Sequence, residues 1–205
     1  MNRLQRQIID LIPTLHGWCE IPKALTLANL VLAQRPKVVL EIGVWGGRSL
    51  IPMLLAQHHL NNVGLLTDFR CVAIDPWHPA ASVEGQTTDA DREWWRGINH
   101  ELVFQHFKHT LDAIGSNSVE IWRMRSSEAD PPKTIDLLSV DGNHGQQALE
   151  DVCKFAPAVP VGGICVLDDI GWAGGFVGKS VEWLLVNGFI QLHPLGTGAV
   201  FFRTK

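Results

Sequence analysis

With 205 residues, 46% hydrophobic and 19% charged, the chain is long enough to bury a core of its own, and it is read as one domain. A net charge of −4 and a pI near 6.1 argue against a nucleic-acid partner, which asks for a basic surface. No run approaches the roughly 20 apolar residues of a membrane span, and MNRLQRQIIDLIPTL, interrupted by Asp10 and Pro13, reads as an amphipathic helix and not a signal peptide; the cysteine usage, with Cys71 and Cys165 in strands, leads to the expectation of a reducing cytoplasm.

Leu4, Ile8, Leu11 and Ile12 recur at helical spacing until Pro13 ends the run. After the loop His16–Glu20, a second helix carries Pro22 in its first turn and Leu25, Ala28 and Leu32 on one face, and closes before Pro36. These two helices, within residues 1–36, should cap the sheet edge or cover a ligand site. Lys37–Ile42 is a strand whose β-branched continuity implies burial on both faces. It ends on Glu41-Ile42-Gly43-Val44-Trp45-Gly46-Gly47-Arg48-Ser49, a glycine-rich turn that lets a ligand approach the backbone. The helix Arg48–His59 follows, with Pro52 in its first turn.

Beyond the linker Asn61–Phe69, Arg70–Asp75 is a second strand, turned by Pro76-Trp77-His78-Pro79. Residues 78–98 read as an inserted polar loop near the active site. A helix follows over Ile98–Ala113, then a strand at Val119–Met124 with the exit loop Arg125–Glu128 and the break Pro131-Pro132. Ile135–Asp141 is a fourth strand, Gly145–Phe155 a helix and Gly162–Asp169 a fifth strand. Gly174-Gly175 loosens the loop beyond, Ser180–Asn187 is a short helix stopped by Gly188, and Phe189–His193 with Gly198–Arg203 forms a terminal hairpin. The alternation implies an α/β Rossmann-like three-layer sandwich, with a mostly parallel seven-stranded sheet and a C-terminal antiparallel hairpin. The four cysteines form no CxxC pair, which sets aside zinc-knuckle and thioredoxin-like sites.

Ligands of open parallel sheets bind outside the carboxyl ends of the strands. Here those ends carry Glu41, Asp75, Asp141 and the pair Asp168-Asp169. Five carboxylates on one rim are costly unless a positive group neutralises them. Asp75 is placed to accept two ribose hydroxyls. Asp141, Asp168 and Asp169 offer hard oxygen donors for Mg²⁺ or a similar ion; helix capping would account for one carboxylate per loop but not for two in a row. Trp18, Trp77, Trp94-Trp95 and Trp172 are candidate pocket walls, or core cover. The glycine loop lacks the G-x-G-x-x-G of dinucleotide folds and the Lys of a P-loop.

The turn Glu41–Gly47 resembles motif I of the class I S-adenosylmethionine (SAM) dependent methyltransferases. Asp141-Gly142-Asn143-His144 and Gly162-Gly163 leading to Asp168-Asp169 resemble the metal-dependent O-methyltransferases of macrolide and aminocoumarin sugars and, more distantly, the catechol type. With Ile74-Asp75-Pro76-Trp77, the resemblance spans roughly residues 17–172. It implies a SAM site of Glu41, Gly43, Val44, Trp45, Gly46, Gly47, Ser49, Asp75, Pro76, Trp77, Ser127, Glu128 and Asp141, and a metal site of Asp141, Asp168 and Asp169. It implies methyl transfer to a small hydroxylated acceptor, with Asp141 and His144 as the candidates for general base, His144 standing where the catechol type places a lysine. Other readings are a nicotinamide-dependent oxidoreductase and a non-catalytic nucleoside-binding protein. A homo-oligomer is compatible with the sequence.

Overall fold

The computed structural model describes residues 1–116, 118–172 and 175–205. Its centre is a seven-stranded sheet in the order β3-β2-β1-β4-β5-β7-β6. The strands are β1 (Val38–Ile42), β2 (Arg70–Ile74), β3 (Val119–Trp122), β4 (Leu137–Val140), β5 (Ile164–Leu167), β6 (Phe189–Leu195) and β7 (Gly198–Arg203). β1 pairs in parallel with β2 and β4, and β7 runs antiparallel between β5 and β6. This is the architecture expected from the alternation of elements.

Alternate residues of the central strands feed two cores. Val39, Cys71, Ala73, Leu137 and Val166 belong to one; Leu40, Ile42, Val72, Leu138 and Leu167 to the other. The first core is covered by α1 (Arg3–Leu11), α2 (Ile21–Gln34), α3 (Leu50–Asn62) and α6 (His100–Ala113), and the second by α7 (Gln146–Phe155) and α8 (Phe176–Val186). α3 lacks a polar face over most of its length, because α1 and α2 pack on the side it turns away from the sheet. The N-terminal helices therefore form an outer layer over α3, while the chain entering α2 reaches the strand ends.

Most element ends move by one to three residues from the sequence reading, and two stretches differ more. α8 starts at Phe176, not Ser180, behind a left-handed Gly175 at φ 75°. Residues 78–98 are not an open loop: they hold α4 (Pro79–Ser82) and α5 (Asp89–Gly97), capped by His78 and Thr88. Ala173 and Gly174, within the stretch read as a loosened loop, lie outside the described residues. Among the described residues no helix is long and apolar enough to cross a membrane.

Candidate active site

The sheet order reverses between β1 and β4, where a parallel sheet opens a crevice at its carboxyl edge. Backbone hydrogen bonds continue past the strand ends and hold the rim in register. Gly43 N–H donates to Ile74 O at 2.9 Å, Asp141 N–H to Ile42 O at 2.9 Å, and Asp168 N–H to Val140 O at 3.0 Å. A cleft of about 1140 Å³ lies over this edge. It is lined by Gly43, Val44, Trp45, Ser49, Asp75, Pro76, Asp141, His144, Asp168 and Asp169, ten of the residues expected at the site.

The others stand behind it. Glu41 is fully buried beneath the glycine turn; its Oε1 accepts from Ser139 Oγ at 3.0 Å and its Oε2 has no donor. Burial pushes its carboxyl up to about 7, against the lowering pull of the nearby Ser49 and Ser139 hydroxyls. Gly46 and Gly47 face the protein, not the cleft. A Cβ on Gly46 would lie 2.3 Å from His16 O, and one on Gly47 2.8 Å from the Phe107 ring. Trp77 is buried, stacked on Phe107, with Nε1 donating to Trp45 O at 2.8 Å. Ser127 and Glu128 do not line the cleft: Ser127 O accepts from Lys154 and Glu128 from the Arg125 N–H. Ser126 and Arg125 line it in their place.

Asp75 ties the turns after β1 and β2 together. Its Oδ2 accepts from Trp45 N–H at 2.9 Å and its Oδ1 from Trp77 N–H at 2.6 Å. Burial raises its carboxyl to about 6, opposed by these amides and that of Val44. Both tryptophans take left-handed backbone, at φ 49° and 44°, as does Asp169 at 47°. Such conformations cost energy and persist where the surroundings over-determine them, often at functional sites.

The Asp141–Asp168–Asp169 cluster contains the positive group that the carboxylate count demanded, and the sequence reading had not named it. Lys23, from the first turn of α2, hydrogen-bonds Asp168 Oδ2 and lies 3.8 Å from Asp141 Oδ2. Burial alone would lower its pKa; Asp141 and Asp168 overcome this and hold the ammonium above its ordinary range. Thr197 Oγ1 donates to Asp168 Oδ1 at 3.0 Å. Asp141 is driven well above the usual carboxylate range by burial and then by the like charge of Asp168. His144 Nε2 lies 2.9 Å from Asp169 Oδ2 without hydrogen-bond alignment, and its ring stacks on Trp172 at 4.3 Å. The pairing with His144, against burial, draws the Asp169 carboxyl down. Donor atoms of Asp141, His144 and Asp169 lie within 4.8 Å of one another, close enough to share a cation.

The segment 78–98 roofs the cleft. Glu84 makes a two-pronged pair with Arg125 at 2.7 and 2.8 Å, and Glu84 O accepts from Asn143 Nδ2 at 2.6 Å. At the mouth Trp95 stands edge-on to Trp45 and Trp18, with centroids 5.1 and 5.7 Å away, and Trp94 packs on both Trp18 and Trp95. Three of the expected wall residues, Trp18, Trp94 and Trp95, thus meet Trp45 in one aromatic cluster.

Comparison with known proteins bears on the fold and the family. The structure resembles the O-methyltransferase NovP, with a TM-score of 0.66 at 18% identity over 89% of this chain and 78% of that one. It also resembles TomG of Streptomyces achromogenes, an O-methyltransferase involved in tomaymycin synthesis and solved with SAM, at 0.62 and 16%, covering 100% of this chain and 91% of that one. SAH-bound PaMTH1 of Podospora anserina gives 0.63 at 13%, covering 100% and 89%. At these identities the likeness is one of fold. One curated relative, the signal recognition particle 54 kDa protein of Pyrococcus abyssi, is 25% identical over 164 residues, 70% of this chain; the chain spans 37% of that protein's length. The methyltransferase domain family matches residues 40–170, from inside β1 to just beyond Asp169. The chain belongs to the methyltransferase domain family.

Proposed function

We propose that this protein transfers a methyl group from SAM to a hydroxyl oxygen of a small acceptor, with a divalent cation bound at the Asp141–Asp168–Asp169 rim. The observation that carries the reading is that one cleft holds the turn after β1, Asp75 and the carboxylate–histidine cluster together. When bound, SAM supplies an activated methyl group and the ion supplies Lewis acidity toward the acceptor hydroxyl.

The residues present fit both groups. Behind the glycine turn, Glu41 Oε2 is a buried acceptor without a donor, suited to an ammonium group reached directly or through water. Asp75 lines the cleft with its carboxylate oriented by the Trp45 and Trp77 amides and is the acceptor placed for the ribose hydroxyls. Asp141, Asp168 and Asp169 line the cleft and supply oxygen donors for the ion, with donor atoms of Asp141 and Asp169 within 4.8 Å of each other and of His144. His144 accepts the acceptor's proton at Nδ1, with its ring stacked on Trp172 and Nε2 turned to Asp169, which meets the developing charge. The segment 78–98 lies over the cleft and contributes Glu84, Trp94 and Trp95 to its lining.

The test incubates the full chain and Mn²⁺ with methyl-labelled SAM and a panel of phenols, sugars and polyketide alcohols. Label should appear in an alkali-stable ether, and His144→Ala should lower kcat by about 10²–10⁴-fold while SAM affinity changes little. Label on nitrogen or carbon acceptors alone, or an unchanged kcat in the variant, contradicts the reading.

A further inference from the structure

The ammonium of Lys23 touches Asp168 and lies 3.8 Å from Asp141, so it sits between two of the three carboxylates assigned above to the ion. Its side chain is 13% exposed, and no other Lys or Arg is paired with Asp141, Asp168 or Asp169 among the described residues. It arrives from α2, outside the Rossmann core, along the stripe Lys23–Leu27–Val31 that otherwise buries apolar side chains against α3. A divalent ion ligated by Asp168 would have the ammonium as a near neighbour of like sign.

We propose that Lys23 is an internal stand-in for the ion: it holds the carboxylates together when no ion is bound and must leave Asp168 when one binds. The inference rests on the metal part of the function proposed above. It makes Lys23 a positioning residue with effects of opposite sign on two quantities. Removing its charge should weaken the metal-free fold, because three carboxylates then face one another with no ammonium among them. The same change should strengthen ion binding, because the competitor is gone. A purely structural lysine would lower stability without raising affinity for an ion.

The test uses the full chain without SAM or acceptor. Mg²⁺ and Mn²⁺ are titrated calorimetrically into wild type, Lys23→Met and Lys23→Arg, and thermal melts are run with and without ion. Lys23→Met should bind both ions at least about tenfold more tightly, melt lower without ion, and gain more from saturating ion than wild type does. Lys23→Arg, which keeps the charge, should stay near wild type in ion affinity. If Lys23→Met folds only when Mn²⁺ is added, that too is the predicted behaviour; failure to fold in either condition contradicts it. Unchanged or weaker ion affinity in Lys23→Met would overturn the inference, since the ion and the ammonium would then not share ligands. So would a wild type that binds neither ion. SAM titrated separately tells the two proposals apart: absence of SAM binding sinks the proposed function, whatever the ions do.

Discussion

Glu41 carries a cost that the folded chain accepts at neutral pH. Its carboxyl is raised to about 7 from an ordinary value of 4.5, so the folded state holds a proton that the unfolded state has released. A raised carboxyl contributes stability that is full below the unfolded value and lost as pH climbs through the folded one. The protein without ligands should therefore lose stability between pH 4.5 and 7, and Glu41→Gln should remove about 3 kcal/mol of that slope. Urea midpoints of both proteins across this range are the measurement; equal slopes would mean that Glu41 is already compensated in the fold. The carboxylates themselves were legible because a parallel sheet gathers strand ends, so Asp75, Asp141, Asp168 and Asp169 could be assigned to one rim from sequence order alone. Lys23 was not, because its role depends on how α2 docks. One signal was there: Lys23 stands four residues before Leu27 on a helix face that is otherwise apolar, where a charge needs a partner. Ser127 and Glu128 lie behind the cleft lining, which here is Arg125 and Ser126, because the chain makes a three-residue 3₁₀ turn over Ser126–Glu128.

At the scale of elements, the turn after β1 is held by neighbours on several sides. Gly46 abuts His16 in the loop before α2, and Arg48 donates to Gly17 O in that same loop. Gly46→Ala should lower stability by about 1–3 kcal/mol, because its Cβ meets backbone that cannot swing aside. Gly97, at the end of α5 with open space around it, is the contrast: Gly97→Ala should be neutral or stabilise by about 0.5 kcal/mol. Denaturant midpoints decide both, and a harmless Gly46→Ala would show that the loop before α2 is not packed on the turn. The glycine pattern was readable in the sequence, but it was attributed to ligand approach when Gly46 and Gly47 serve internal packing. α5 went unseen because its burial is slight: none of its residues is buried, and its polar sequence imitates a loop. Its cap was nevertheless in view, as Thr88 followed by two aspartates in the first turn.

At the scale of the molecule, the fold brings a cleft, an aromatic mouth and a compensated carboxylate rim to one edge of one sheet. Strand alternation and the β-hairpin made the sheet legible, and the family match covers its central part. What sequence could not supply is the layering of α1 and α2 over α3, which carries Lys23 and Trp18 to the cleft. The most direct measurement of the central claim is calorimetric titration of the intact protein with SAM and, separately, with NAD. SAM should bind with a dissociation constant on the order of micromolar, about −8 kcal/mol, and NAD should give no heat of binding at the same concentrations. Tight NAD binding with no response to SAM would contradict the account.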